Sequence, residues 1–282
     1  MQIIEHPSAI YEYCDSLRSR GKKIGFVPTM GALHEGHFSL IRKAKLENEI
    51  VVVSIFVNPL QFNNQADLDK YPRPLTQDLD ALEHEEVDVV YKPSPESMYP
   101  TGNEVKISFG RMAEVMEGKF RPGHFDGVGV VVTKLFNHVI PHQAYFGLKD
   151  LQQFLLIQRM VADLSIPVAV FGLPTVREDS GLAMSSRNQR LSDIGRSTAA
   201  SIYKGLLKGK SRWDSGSNPE ETKNEIEQFY LDTPGLEVEY VNIVNPHDLT
   251  EVKSNHQQSI AICVAAYVEG IRLIDNLYLR QD

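Results

Sequence analysis

Two histidines in a glycine-containing segment are the residues of this sequence best suited to chemistry. His34 and His37 stand three positions apart in the run PTMGALHEGH, residues 28–37, with Gly36 between them. A segment between a strand and a helix offers free backbone N–H groups, and the helix dipole adds attraction for phosphate. Gly31 and Gly36 let the backbone turn tightly and approach a ligand closely. The spacing predicts that both imidazoles donate N–H groups to one anion, although a lone His–Gly pair would more commonly be an ordinary loop feature.

Other signatures of metal and nucleotide sites are missing from the sequence. Two residues rather than three separate the histidines, so the HExxH pattern of zinc proteases is not matched. There is no G-x-x-x-x-G-K-[ST] run, and Gly127 and Gly129 are followed by Val132 where a dinucleotide fingerprint needs glycine. The sequence therefore favours neither a P-loop NTPase nor a dehydrogenase.

Composition and charge limit the classes of binding partner that we expect. The 282 residues carry 29 Lys and Arg against 37 Asp and Glu, a net charge of −8, so we expect no nucleic-acid or membrane partner. The longest apolar stretch, residues 50–57, is too short to span a bilayer. The first residues do not resemble a signal peptide, and Cys14 and Cys263 lack CxxC spacing, so we expect a cytoplasmic protein.

The elements that must position the histidines alternate between strands and helices. A predicted strand at residues 22–27, a helix at 37–46 and a buried strand at 50–57 form a βαβ unit. Further predicted helices cover residues 77–86, 128–139 and 151–164, and further strands cover 87–91, 144–147 and 168–172. We predict an α/β domain at residues 1–176, built on a doubly wound, Rossmann-like parallel sheet with ligands beyond the carboxyl ends of its strands.

The pattern changes in the last third of the chain. Helices are predicted at residues 192–208 and 219–231, with a polar linker at 209–218. Strands are predicted at residues 236–244, 260–267 and 271–277, and their short connections indicate antiparallel pairing. The sequence therefore predicts a second, smaller α+β domain at residues 177–282.

The segment PTMGALHEGH resembles the ATP-binding signature of the pantothenate synthetase family, in the H-x-G-H nucleotidyltransferase superfamily. The resemblance extends from end to end, because further family motifs follow in order: SIFVNPLQF at 54–62, YPR at 71–73, RPGHFDGV at 121–128, FGLKDLQQ at 146–153, GLAMSSRN at 181–188 and RLIDN at 272–276.

This resemblance implies an enzyme that condenses pantoate with β-alanine, using ATP as co-substrate. The family forms pantoyl adenylate, then pantothenate, and releases pyrophosphate and AMP. Since a carboxylate must attack the α-phosphorus, the site needs cationic groups, N–H donors and usually Mg²⁺, for which no ligand is assigned. The resemblance also implies a homodimer and a C-terminal lid domain that hinges over ATP.

The matched motifs imply roles for individual residues. His34 and His37 would bind phosphate, and Lys149 would stabilise the transferred phosphoryl group. Gln61 and Gln153 match the paired glutamines that bind pantoate, and Gln61 would also border β-alanine. The residues implied to bind ATP are Met30, Gly31, Ala32, Leu33, His34, Glu35, Gly36, His37, Gly147, Leu148, Lys149, Asp150, Val176, Met184, Ser185, Ser186 and Arg187. His124 would either contact substrate or have a structural role.

The sequence departs from the family pattern beside the lysine. Leu148 and Leu151 stand where the family usually has a glutamate and an aromatic residue, and the missing acid could alter affinity for ATP or metal. Two other functions remain open: a nucleotidyltransferase acting on a phosphate or sugar acceptor, and a non-catalytic nucleotide-binding regulator. The first would give the paired glutamines no clear purpose. Loss of Lys149 or of a histidine would favour the second, but Lys149, His34 and His37 are all present.

Overall fold

The computed structural model describes residues 1–255 and 259–280. The chain divides into two compact units. The first unit comprises Met1–Glu114, Gly118–Leu148 and Leu156–Pro174, and the second comprises Val115–Glu117, Lys149–Leu155 and Thr175–Asp282. Of the predicted domain at 177–282, residues 256–258 and 281–282 lie outside the described residues.

A six-stranded parallel sheet forms the centre of the first unit. Its strand order is β1-β4-β3-β2-β5-β6. The strands are β1 (Gln2–Ile4), β2 (Ile24–Thr29), β3 (Ile50–Ile55), β4 (Val89–Tyr91), β5 (Gln143–Gly147) and β6 (Ala169–Leu173). The β-branched run of β3 is buried at its last five positions, as expected for an inner strand covered on both faces. The predicted parallel α/β sheet is confirmed.

The helices of the chain follow the predicted alternation, with additions. They are α1 (Pro7–Ser19), α2 (Glu35–Glu47), α3 (Gln65–Asp69), α4 (Leu75–His84), α5 (Pro95–Met98), α6 (Glu117–Phe120), α7 (His124–Val139), α8 (Leu151–Asp163), α9 (Asp193–Ala199), α10 (Ser201–Asp214) and α11 (Pro219–Leu231). Strand β1 and helix α1 were not predicted from the sequence. The start of α1 had a readable signal, since His6 caps the helix and Pro7 occupies its first turn. None of the helices in residues 1–255 and 259–280 has the length and apolar character needed to cross a membrane.

A second β-sheet organises the second unit. It contains β7 (Leu236–Val244), β8 (Ser259–Val268) and β9 (Ile271–Arg280), paired antiparallel in that order. The buried side chains of α10 and α11 share one apolar core with those of the sheet. The predicted smaller domain with antiparallel strands is confirmed in its fold.

Two predicted boundaries in this unit are wrong. The predicted helix at 192–208 is two helices, α9 and α10, which meet at Ala200. The predicted linker at 209–218 begins too early, because α10 continues to Asp214. Gly209 is buried inside that helix, where an added Cβ would lie 2.3 Å from Ile226 Cδ1. Here glycine permits close packing between α10 and α11 instead of ending a helix.

A partly buried histidine in the first unit makes stability depend on pH. His138 Nδ1 lies 2.9 Å from the Tyr91 hydroxyl, and burial, with Lys134 nearby, lowers its pKa to about 4. Since the unfolded chain then binds the proton more readily, stability should fall as pH decreases from about 6.5 toward 4. We expect the free energy of unfolding to decrease between pH 7 and pH 5 because of this residue. Thermal melts of His138→Gln should lose this part of the pH dependence, and an unchanged dependence of melting temperature on pH would contradict the role of His138. His247→Gln, at an exposed histidine, serves as the control.

Candidate active site

The two histidines of the H-x-G-H segment cap helix α2 with their side chains. His34 is the N-cap residue, and its Nδ1 accepts a hydrogen bond from the Gly36 N–H at 3.2 Å. His37 reaches back, and its Nδ1 accepts from the His34 N–H at 3.3 Å. The two ring centroids are 4.2 Å apart. The structure therefore brings together the two histidines that the sequence predicted to share a ligand.

This capping box determines which ring nitrogen carries the proton. Because Nδ1 of each imidazole accepts a backbone hydrogen bond, the neutral ring carries its proton on Nε2. Both histidines can then donate an Nε2–H group to an anion without becoming charged. Glu35, between them, has a different partner, since its carboxylate pairs with Arg42 at the surface.

Asp78 of α4, which was not predicted from the sequence, fixes the loop that precedes these histidines. Its carboxylate is 3 % exposed and accepts from the Ala32 and Leu33 N–H groups, both at 2.8 Å. Gly31 and Ala32 have φ angles of +80° and +50°, so the carboxylate stabilises a left-handed turn. Burial raises the pKa of Asp78. A signal existed, since Asp78 shares the buried face of α4 with Leu82, four residues on.

Gln61 lies against the same loop, in a 3₁₀ turn at Pro59–Gln61. Its Nε2 donates to Met30 Sδ at 3.1 Å, and its Oε1 accepts from Asn58 Nδ2 at 3.1 Å. Asn58 is held in turn by the Tyr99 hydroxyl, which donates to its Oδ1 at 2.8 Å. The first unit thus places a predicted pantoate ligand beside Met30, a predicted ATP ligand.

His124 lies beneath this turn. It is buried, and its Nδ1 lies 2.8 Å from the Gln61 carbonyl oxygen. Its Nε2 lies 3.2 Å from a guanidinium nitrogen of Arg121. These contacts favour the structural alternative for His124, which supports the segment that carries Gln61.

The predicted segment 147–150 runs from the end of β5 to the start of α8. Gly147 is the last residue of β5, and Leu148–Asp150 forms a 3₁₀ turn. Lys149 belongs to the second unit; its side chain is 18 % exposed, with Nζ 3.9 Å from Asp150 Oδ2. The Gln153 amide has no hydrogen-bond partner within residues 1–255 and 259–280. Its neighbour Gln152 is buried and accepts from the Glu117 N–H at 3.0 Å, a structural role.

The remaining predicted ATP ligands of the second unit share one loop. The Met184 N–H donates to the Val176 carbonyl oxygen at 3.0 Å, and Arg177 pairs with Ala183 in an antiparallel bridge. Ser185 caps the following 3₁₀ turn, Ser186–Arg190, through a hydrogen bond from the Arg187 N–H to its Oγ. Val176 and the run Met184–Ser185–Ser186–Arg187 are therefore brought together.

A protein-only metal site is not found in the described part of the chain. No group of three His, Cys, Asp or Glu side chains there could hold a metal ion. Mg²⁺ does not need such a group, since it commonly binds through one or two carboxylates and substrate phosphates. The half-exposed carboxylate of Asp150, in the predicted ATP segment, fits that mode of binding.

Comparison with known proteins decides the family. The family model described as pantoate-beta-alanine ligase matches residues 2–278. The chain belongs to this family. Membership in the pantoate-beta-alanine ligase family makes it an enzyme, a ligase of pantothenate biosynthesis. A pantothenate synthetase of Sulfurihydrogenibium sp. (strain YO3AOP1) is 47 % identical over 98 % of this chain and 99 % of the relative. That of Aquifex aeolicus (strain VF5) is 48 % identical over 92 % of each chain.

Solved structures of the pantoate-beta-alanine ligase family share the fold. The pantothenate synthetase of Thermus thermophilus superposes with a TM-score of 0.91 at 41 % identity, covering 98 % of this chain and 99 % of that one. The ligase of Francisella tularensis, solved with beta-gamma ATP and beta-alanine, gives a TM-score of 0.82 at 41 % identity, covering 98 % and 97 %. These likenesses support the ligase fold and activity.

Proposed function

We propose that this ligase condenses pantoate with β-alanine, driven by ATP, through pantoyl adenylate with release of pyrophosphate and AMP. The observation that carries the proposal is the capping box of His34 and His37, which fixes two imidazoles at a helix start within a family-specific motif. The Francisella tularensis ligase, solved with beta-gamma ATP and beta-alanine, supports these two substrates.

The ATP ligands would act through charge and preorganised donors. We assign His34 and His37 to the phosphates and Lys149 to the transferred phosphoryl group, where charge increases in the transition state. The turn of residues 30–33, pinned by Asp78, would present backbone to the nucleotide. The other assigned contacts are Val176 near adenine and Ser185, Ser186 and Arg187 on the β- and γ-phosphates.

Gln61 and Gln153 would hold pantoate. The Gln61 amide is oriented by Asn58, and the Gln153 amide has no partner among the described residues, so both can hydrogen-bond hydroxyl or carboxylate groups. Once the carboxylate is activated as an adenylate, the amine of β-alanine needs mainly to be delivered in the right orientation. Positioning therefore supplies most of the catalysis in the second step.

Mg²⁺, a homodimer and a cytoplasmic location belong to the same proposal. Asp150 would hold Mg²⁺ together with phosphate oxygens, and the ion would neutralise negative charge on the triphosphate. The two thiols, Cys14 and Cys263, are both free and buried, which fits a reducing cytoplasm. We also propose residues 1–176 and 177–282 as the two domains, with dimer contacts on the first.

Exchange of labelled pyrophosphate into ATP tests the proposed reaction. With Mg²⁺ and pantoate but without β-alanine, the enzyme should catalyse exchange, because adenylate formation is reversible. The exchange should disappear when pantoate is omitted, and adding β-alanine should yield pantothenate and AMP. Nucleotide binding without exchange would refute the proposal and favour another acceptor or a regulatory role.

A further inference from the structure

The RLIDN motif near the chain end has no role in the assignments above. Two of its residues, Asp275 and Asn276, are 4 % and 7 % exposed although both are polar. They lie on β9, in the sheet of the second unit. Burial of a carboxylate is costly unless it is paired and hydrogen-bonded, so their partners indicate what these residues do.

Arg177 is the partner of Asp275, in a two-pronged ion pair. Its Nη1 and Nη2 donate to the two carboxylate oxygens at 2.6 and 3.0 Å. The same guanidinium donates to the Gly181 carbonyl oxygen at 3.1 Å and lies 3.6 Å above the centre of the Tyr203 ring. Arg177 therefore ties the loop that leads to Met184–Arg187 to strand β9.

Asn276 makes the corresponding connection to the lysine segment. Its Nδ2 donates to the Lys149 carbonyl oxygen at 2.8 Å, and its own N–H donates to Asp275 Oδ1 at 2.8 Å. The backbone of Lys149 is thus held by a residue that also orders the ion pair. Burial raises the pKa of Asp275, opposed by Arg177 and, from farther away, by Lys149.

We propose that Arg177, Asp275 and Asn276 form one positioning cluster that sets Lys149 and the 181–188 loop in a fixed mutual geometry for the ATP phosphates. The inference rests on the proposed function of those two segments. Stability alone does not account for the cluster, because a buried ion pair contributes little net free energy compared with apolar side chains of similar size. Fixed geometry does account for it, since a displacement of about 1 Å can lower a catalytic rate about a hundredfold.

Two substitutions separate the connections made by the cluster. Asn276→Ala removes the hydrogen bond to the Lys149 carbonyl oxygen and leaves the ion pair. Arg177→Lys keeps a positive charge but loses the guanidinium group that holds both Asp275 and Gly181. Ile262→Val is the control, because it weakens the apolar core of the same unit at a residue that belongs to neither segment and not to the cluster. Pantoate-dependent pyrophosphate exchange gives kcat and KM for ATP, and hydrogen exchange reports on residues 147–155 and 181–188.

We expect each cluster variant to affect kcat and hydrogen exchange in particular segments rather than to cause a general loss of stability. Asn276→Ala should lower kcat about tenfold or more and speed hydrogen exchange in residues 147–155, while Arg177→Lys should lower kcat about a hundredfold and affect both segments. Ile262→Val should lower the melting temperature with kcat unchanged. Melting temperatures that fall in both cluster variants while kcat and local hydrogen exchange stay at wild-type values would overturn the proposal. Wild-type enzyme without pantoate-dependent exchange would refute the proposed function instead, and the hydrogen-exchange pattern would still decide for or against the cluster.

Discussion

Replacing Lys149 with alanine is expected to reduce pyrophosphate exchange by about a thousandfold, with the fold intact. The side chain is 18 % exposed, so its charge acts where water screens it less than at an open surface. It stands in the 3₁₀ turn before α8, with its backbone held by Asn276. Removing the cation that we assign to the transferred phosphoryl group should therefore lower kcat far more than it weakens nucleotide binding.

The control for this prediction is a lysine of the same unit at the surface. Lys208 is half exposed, at 4.0 Å from Glu225, and Lys208→Ala should leave exchange unchanged. Lys149→Arg tests geometry, because the guanidinium keeps the charge but presents a broader, planar group. Exchange near the wild-type rate in Lys149→Ala would remove this residue from the mechanism.

Substitution of His37 should have a comparable effect on activity, and two variants can separate chemistry from folding. His37→Gln keeps an acceptor at the position where a capping box commonly has glutamine, but it loses the imidazole Nε2–H. We expect nearly wild-type stability and exchange lower by about two to three orders of magnitude, as for other lost preorganised donors. His37→Ala should lose the same activity and, in addition, about 1 kcal/mol of stability from the broken cap.

Thermal melts and exchange rates together check the histidine prediction. If His37→Gln exchanged pyrophosphate at the wild-type rate, the residue would be a helix cap and not a phosphate ligand. If both variants unfolded, the capping role would dominate and the catalytic assignment would have no support. The exposed His247→Gln is a suitable control, since it changes a histidine outside the assigned residues.

Most of the architecture could be read from local patterns. Three local patterns each predict one fold. They are the β-branched run of β3, the alternation of strands with amphipathic helices, and the closely spaced strands after residue 236. Both the parallel sheet and the antiparallel sheet were predicted for that reason. Local patterns were not sufficient at β1, which has three residues, or at Gly209, where a residue that commonly ends helices instead permits two helices to pack closely.

In the candidate site too, some residues could be predicted from local patterns and others could not. Residue types and spacing by themselves predicted a phosphate-binding loop, and the structure shows His34 and His37 as neighbours at the start of one helix. Family motifs added Lys149, Gln61 and Gln153.

Tertiary structure decided which residues hold these groups in place. Asp78 binds the loop 45 and 46 residues before it, and Asn276 binds Lys149 across 127 positions. Such contacts depend on how sheets and helices bring distant segments of the chain together. Local periodicity carries no information about which distant segments will meet. A buried carboxylate in a sequence predicts that partners must exist, but the backbone geometry of the folded chain decides which ones they are.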